Sequence, residues 1–142
     1  MKTKIWKFSP TIYPIELLVC KSPSEEELKK RFMVIMNKRE VKEPDDEFRP
    51  DGMRLADLVP VVDRTTGKAY GLIIIYRPNE ISFGTLAHEA LHFCTYLSEL
   101  LGFKAIELEN DEPYAYLIEW VTNCINSVRA NTPQKMSGEL FE

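Results

Sequence analysis

The strongest constraint on the fold comes from residues 55–102, where two apolar stretches joined by a turn precede one long helical stretch. "LADLVPVVD" and "KAYGLIIIY" flank "RTTG", and Gly67 stands where a hairpin loop needs a positive φ. The uninterrupted apolar run "GLIIIY" is typical of a strand covered on both faces. A helix is then predicted over 83–101, with Ser82 as its N-cap and Gly102 just past its end. This region therefore predicts a hairpin that leads into a helix.

The residues before the hairpin predict two strands and a helix. Alternation in "KIWKF" and the β-branched and aromatic residues of "IYPIELLVC" favour strands over 4–8 and 12–20. Ser24 followed by Glu27 matches a capping box, and apolar residues recur on one face after it. These signals predict an amphipathic helix over 25–38.

The remaining segments complete the predicted order of elements. Residues 40–53 carry prolines, a glycine and many charges, which indicates an exposed loop. A last helix is predicted over 112–128, with Asp111 as N-cap and Pro113 in the first turn. Residues 130–142 have little to bury and are expected to form a flexible tail. The order strand, strand, helix, hairpin, helix, helix predicts an α+β domain over 1–129 with a mainly antiparallel sheet.

The composition limits the kind of protein this can be. The 142 residues are 44% apolar and 28% charged, with a formal net charge of −4, which argues against nucleic acid as a partner. No apolar run approaches the roughly 18 residues that span a bilayer, and the start lacks a secretory signal. We therefore expect a cytoplasmic protein without a membrane partner. Three widely spaced cysteines are expected to be reduced core residues: Cys20, Cys94 and Cys124.

Both histidines of the chain, His88 and His92, fall in "TLAHEALHFC" on the predicted helix 83–101. Positions four apart lie one above the other on a helix face, so both imidazoles can point at one metal ion. Zinc accepts such nitrogens readily, at about 2.0–2.1 Å. Glu89 lies about 100° around the helix, where it can flank the ion and take a proton from a water. We favour this metal site over two histidines that only share a half-buried face.

A catalytic zinc site normally has three protein ligands, so two histidines leave one to find. Glu99 lies on the same helix but about 10 Å along its axis from His92, which is too far. The short connection 102–111 favours antiparallel packing of the last helix, which would bring its first turns near the histidines. The remaining downstream candidates are carboxylates: Glu107, Glu109, Asp111, Glu112 and Glu119.

At this point the chain resembles a known group of enzymes. "HEALH" is followed by "NDEPYAYLIEW", in which Glu112 lies twenty residues after the second histidine. Over about residues 70–128 this resembles the zincin metallopeptidases, most closely the gluzincin pattern, in which a glutamate on the next helix completes the zinc site. It is also similar to small bacterial and phage proteins regarded as zinc peptidases.

The resemblance implies both a site and a reaction. Zinc would be bound by His88, His92 and Glu112, and Glu89 would act as general base when a zinc-activated water attacks a peptide or protein substrate. It also implies a zincin-like fold, in which a small sheet packs on the HExxH helix and a following antiparallel helix. The strand "GLIIIY" precedes the site helix, as the cleft-edge strand does in zincins. An extended peptide could pair with it if that edge is open.

Some positions depart from the larger gluzincins. Those proteins carry an aspartate four residues after the third ligand, which orients a zinc-bound histidine. Tyr116 stands there in this chain, and Glu119 is the other candidate for that role. Without a third histidine to stabilise an oxyanion, the candidates are Tyr76, Tyr114 and again Tyr116.

Two alternatives to a zinc peptidase remain at this stage. One is a zinc-stabilised domain of the same fold that does not cleave and acts as a binding or structural module. The other is the use of the same residues for iron or manganese, because imidazole and carboxylate suit several metals.

Overall fold

A six-stranded mixed sheet forms the centre of the structure, a computed structural model that describes residues 2–35, 48, 54–102 and 107–142. The strand order is β3-β4-β5-β2-β1-β6, and neighbouring strands are antiparallel except for the parallel pair β2 and β5. The predicted α+β class with a mainly antiparallel sheet is therefore confirmed. The strands are β1 (Ile5–Phe8), β2 (Glu16–Lys21), β3 (Phe32–Val34), β4 (Ala56–Asp63), β5 (Ala69–Ile75) and β6 (Glu139–Leu140).

The helices are α1 (Glu25–Arg31), α2 (Phe83–Leu101) and α3 (Glu112–Arg129), followed by a short 3-10 helix (Pro133–Met136). Two buried clusters lie on opposite faces of the sheet. The first cluster lies between the sheet and helices α2 and α3, and it contains Ile73 and Ile75 of β5. The second cluster lies on the other face, and it contains Leu28 of α1 together with Leu72 and Ile74 of β5. The "GLIIIY" strand is thus covered on both faces, as predicted. None of the described helices combines the length and hydropathy needed to span a membrane.

The hairpin and the helix after it follow the sequence prediction closely. Gly67 in the turn has φ +75°, a conformation in which a side chain would be strained. The hydroxyl of Ser82 accepts a hydrogen bond from the backbone amide of Thr85 at 3.3 Å, and Gly102 ends α2 in the left-handed conformation. Asp111 precedes α3, but its side chain makes no capping hydrogen bond, unlike the prediction.

The first predicted helix is shorter than expected. α1 ends at Arg31, and Phe32 is extended with φ −122° and ψ 145°, because the next residues pair with β4 as strand β3. Aromatic and β-branched residues suit a strand, so tertiary pairing overrides the helical period. The strand predicted over 12–20 likewise begins only at Glu16. The rest of the predicted helix, 36–38, and the predicted loop 40–53 lie outside the described residues apart from Phe48, which is buried.

The expectation of a flexible tail over 130–142 does not describe this structure. β6 pairs with β1, and the backbone amide of Phe141 donates to the carbonyl of Ile5 at 2.8 Å. The Phe141 ring stacks on Phe32, with centroids 6.0 Å apart, and the guanidinium carbon of Arg31 lies over the Phe141 ring, 4.3 Å from its centroid. A single aromatic residue near the end therefore gives the segment something to bury.

The close approach of α2 to β5 depends on Gly71. A Cβ there would lie 2.6 Å from two ring carbons of Phe93, which is fully buried in α2. We expect Gly71→Ala to lower the free energy of unfolding by about 1–3 kcal/mol, since overpacking forces such a core apart. Urea unfolding monitored by circular dichroism measures it. Gly84→Ala in the first turn of α2 is the control, because its Cβ would meet only Ser82 Oγ at 3.6 Å. Equal stability of Gly71→Ala and wild type would contradict this packing.

Candidate metal and catalytic site

The helical period of α2 places His88 and His92 on an exposed face of the helix and turns Glu89, which lies between them in sequence, toward the buried face. The helix buries Leu86, Ala90, Phe93 and Leu97, which recur at helical spacing. His88 and His92 lie outside that buried face and are exposed, whereas Glu89 lies at its border and is only 5% exposed. One helix thus presents two imidazoles to solvent and holds a carboxylate beneath them.

The imidazoles of His88 and His92 already face each other in a ligand-like arrangement. Their Nε2 atoms are 3.1 Å apart, and the rings meet edge to face with centroids at 4.8 Å. Two nitrogens on one tetrahedral zinc, each at about 2.0–2.1 Å, would be about 3.4 Å apart. A shift of a few tenths of an ångström would therefore fit both to one ion.

The carboxylate of Glu89 completes a three-residue cluster. Its Oε1 lies 3.9 Å from His88 Nε2, and one ligand atom from each of His88, Glu89 and His92 lies within 4.8 Å of the others. Glu89 Oε2 is buried and has no hydrogen-bond partner in the described chain. An orphaned buried oxygen beside two imidazoles is a chemically suitable place for a cation or a water.

Burial dominates the electrostatics of this cluster. The pKa of Glu89 is raised to about 7, chiefly by burial and also by the nearby carboxylate of Asp57, while a hydrogen bond from the Leu58 backbone opposes the shift. Partial burial and the neighbouring His88 lower the pKa of His92. A neutral imidazole is the form that binds a metal, so this shift favours metal binding.

The sheet edge beside Glu89 belongs to β4 rather than to β5. β5 pairs with β4 on one side and β2 on the other, so "GLIIIY" has no open edge for a peptide to pair with. β3 pairs with Val61–Asp63, and no other described strand pairs with the backbone of Ala56 and Leu58 on that side.

The hydrogen-bonding pattern shows which backbone groups face this edge. Tyr76 N bonds Leu55 O, and Asp63 N bonds Lys68 O, so odd-numbered residues of β4 exchange hydrogen bonds with β5. The backbone of Leu58 therefore points to the open side, where it contacts Glu89. No sequence signal indicates this contact, because it depends on strand register; the carboxylate of Asp57 within an apolar strand is the nearest hint.

Glu112 is not part of the three-residue cluster in the described chain. It is the exposed first residue of α3. Ser98 of α2 and Pro113 of α3 line the same small cavity, so the first turn of α3 packs beside Ser98. Ser98 lies six residues beyond His92, which is about 9 Å along the helix. The role of Glu112 as third ligand stays a prediction, as do those of the other downstream carboxylates.

The tyrosines and Glu119 lie in different parts of the molecule. Tyr76 is buried in the cluster on the sheet face opposite α2, with Arg54 Nη1 at 3.4 Å from its hydroxyl. Tyr114 lines the small cavity beside Ser98, and Tyr116 and Glu119 are exposed on α3. Tyr96, which no sequence signal marks, has a buried hydroxyl without a hydrogen-bond partner in the described chain.

The cysteines take no part in this cluster. Cys20, Cys94 and Cys124 are buried and form no disulfide, as predicted. Burial raises the pKa of each thiol to about 12, so none is poised as a nucleophile. Comparison of the chain with models of protein families, with curated protein sequences and with solved structures finds no match.

Proposed function

We propose that this protein is a zinc-dependent metallopeptidase with a zincin-like arrangement around α2. His88 and His92 would hold the ion, and Glu89 would take a proton from the attacking water and pass it to the leaving amine. A zinc ion held there would supply a Lewis acid that polarises the peptide carbonyl and eases deprotonation of the water.

The observation that carries this proposal is the burial of the Glu89 carboxylate beside two imidazoles. Its carboxylate is buried, one oxygen has no partner in the described chain, and the other lies 3.9 Å from the nearer imidazole nitrogen. A glutamate with only a structural role would have both oxygens paired, because unpaired buried polar atoms are costly. The arrangement suits a residue that exchanges protons with a small ligand beside the histidines.

A peptide substrate fits the edge of β4. The backbone groups of Ala56 and Leu58 point away from β5, and among the described strands none pairs with them on that side, because β3 pairs with Val61–Asp63. An extended peptide that paired with these groups would pass beside Glu89, because the Leu58 backbone contacts that carboxylate. We therefore propose a peptide or an unstructured protein segment as the substrate.

The proposal is tested by metal content and cleavage together. Elemental analysis of protein purified without chelator should give about one zinc per chain, and a broad peptide library should be cleaved. Chelator should abolish cleavage, and added zinc should restore it. Protein that carries no metal, or iron or manganese instead of zinc, would contradict the assignment.

The third ligand can be tested separately. We propose Glu112, on the resemblance of "NDEPYAY" to the gluzincin motif, and expect Glu112→Ala to lower zinc affinity by at least about 100-fold. Glu107→Ala is the matched control, since it removes an exposed carboxylate from the same connection, and it should leave the affinity unchanged. Competition with a zinc-binding dye measures both variants. Full zinc affinity in Glu112→Ala would exclude it as a ligand.

A second candidate function is a zinc-binding module that does not cleave. The observation that favours it is that Glu112 lies outside the cluster of His88, Glu89 and His92 in the described chain. Zinc at one per chain together with no cleavage of the peptide library would support this function over the peptidase.

A further inference from the structure

A wide cleft of about 940 Å³ opens where β1 begins, β2 ends and α3 ends. None of its lining residues belongs to the histidine cluster. The charged side chains that line it in the described chain are three lysines, Lys2, Lys4 and Lys21, and no carboxylate lines it. Because the chain carries a net charge of −4, the sign of this cleft is opposite to that of the whole molecule. A concave surface of one sign concentrates ions of the other.

An aromatic ring shares this cleft with the lysines. Trp6 lies on β1, half-buried, and it packs partly against the core cluster while it lines the cleft. Lys4 is two residues away, so the two side chains lie on the same side of the extended chain. An indole whose position is partly fixed by core packing, and which lines a basic groove, is a stacking platform for a planar ring.

The lysines are not neutralised to the same degree. Lys2 lies near Glu27, whose pKa is lowered by hydrogen bonds from Thr3 and also by the charge of Lys2. Lys21 donates a hydrogen bond to the neutral amide oxygen of Asn131. Lys4 makes no ion pair in the described chain. Two of the three positive charges are therefore available to an anion.

Ser22, which follows Lys21, and Asn131, which accepts the hydrogen bond of Lys21, both have an unusual backbone conformation. Ser22 has φ +45° and Asn131 has φ +60°, the left-handed region that favours glycine, and both residues line the cleft. Non-glycine residues held in this region persist where surrounding contacts enforce them, and they cluster at ligand sites. The cleft also lies at the carboxyl ends of the parallel strands β2 and β5, because Lys21 ends β2 and Pro78 closely follows β5.

We infer that this cleft binds a nucleotide, with its base on Trp6 and its phosphates on Lys4 and Lys21. Lysines act as point charges for phosphate, and the indole offers a face to a planar ring. A simple inorganic anion would use the lysines but leave the indole without a role. This binding site is separate from the proposed peptidase site and does not rest on it.

The test uses Trp6 as its own reporter. The chain has two tryptophans, so Trp120→Phe leaves Trp6 as the only indole N–H resonance in an NMR spectrum. Addition of ATP should shift that resonance in a saturable way. Lys4→Glu should weaken binding by about tenfold or more, because it replaces an attractive charge with a repulsive one. Lys30→Glu, which changes an exposed lysine on α1 outside the cleft, should alter binding less than about twofold.

Two further probes separate a nucleotide from a simple anion. Tripolyphosphate carries the charge without the ring, and adenosine carries the ring without the charge, so both should bind more weakly than ATP. Equal affinity for tripolyphosphate and ATP would overturn the nucleotide assignment. So would ATP binding that Lys4→Glu leaves unchanged, or no shift of the Trp6 resonance at millimolar ATP. Unchanged resonances elsewhere in the Lys4→Glu spectrum would show that this variant is folded.

Discussion

Glutamine in place of Glu89 is expected to slow peptide cleavage by about 10²- to 10⁴-fold, the usual contribution of a general base. The amide has nearly the shape of the carboxylate but cannot accept the proton. Zinc content should stay at the wild-type level, because His88 and His92 are untouched. Turnover of a fluorogenic peptide, together with metal analysis of the same preparation, measures both quantities.

Glu99→Gln is the matched control for this result. Glu99 is an exposed glutamate on the same helix, well beyond the histidines, so its loss should leave turnover unchanged. Turnover of Glu89→Gln equal to that of wild type would remove Glu89 from the reaction. A variant that lost its zinc would instead show that Glu89 helps to hold the ion.

Alanine in place of Asp63 is expected to lower the free energy of unfolding by about 3 kcal/mol. The Asp63 side chain is 1% exposed and accepts hydrogen bonds from Arg31 Nε and Nη2, both at 3.2 Å, and from Thr65 N at 2.9 Å. Its removal takes the carboxylate away from the Arg31 guanidinium, which among the described residues keeps only its bond to the carbonyl of Glu142, and from the Thr65 amide. The value is at the low end for buried pairs because the Arg31 side chain is 30% exposed. Urea unfolding at pH 7 measures it.

The stabilisation by Asp63 should also depend on pH. Burial alone would raise the pKa of Asp63, but the hydrogen bonds and charge of Arg31 and the Thr65 amide outweigh it, so the folded pKa lies below the usual 3.8. The carboxylate therefore stabilises the fold fully above about pH 4, and this contribution is lost as the pH falls through the folded pKa. The difference between wild type and Asp63→Asn should shrink in acid. A difference that is the same at pH 3 and pH 7 would contradict this, and Arg31→Met/Asp63→Leu should remove the contribution of Asp63 to the pH dependence of stability.

The parts of the structure that the sequence predicted well are those set by local signals. The bounds of α2 follow from Ser82, Gly102 and a regular apolar period. Because these local signals predict the helix, the spacing of four residues also predicts that the imidazoles of His88 and His92 lie side by side. The positive φ of Gly67 likewise follows from turn chemistry within a few residues. These features need no knowledge of the rest of the chain.

The features that sequence reasoning missed depend on distant partners. β3 forms because Phe32–Val34 meets Val61–Asp63, although the same residues continue a helical period. The burial of Glu89 depends on which backbone groups of β4 face outward, which is a matter of register. The position of Glu112 relative to the histidines depends on where α3 packs along α2, and neither helix encodes that offset locally.

The pairing of β6 with β1 has a consequence for the synthesis of the protein. Phe8 and Glu139 are 131 positions apart in the chain (139 − 8), yet their strands are neighbours in the sheet. At roughly 5–20 residues per second, the ribosome needs roughly 7–26 s to make the residues between them. During that interval the outer edge of β1 has no strand partner from this chain. An emerging chain with an open edge is prone to pair with another one, so a chaperone that shields β1 should raise the yield of folded protein.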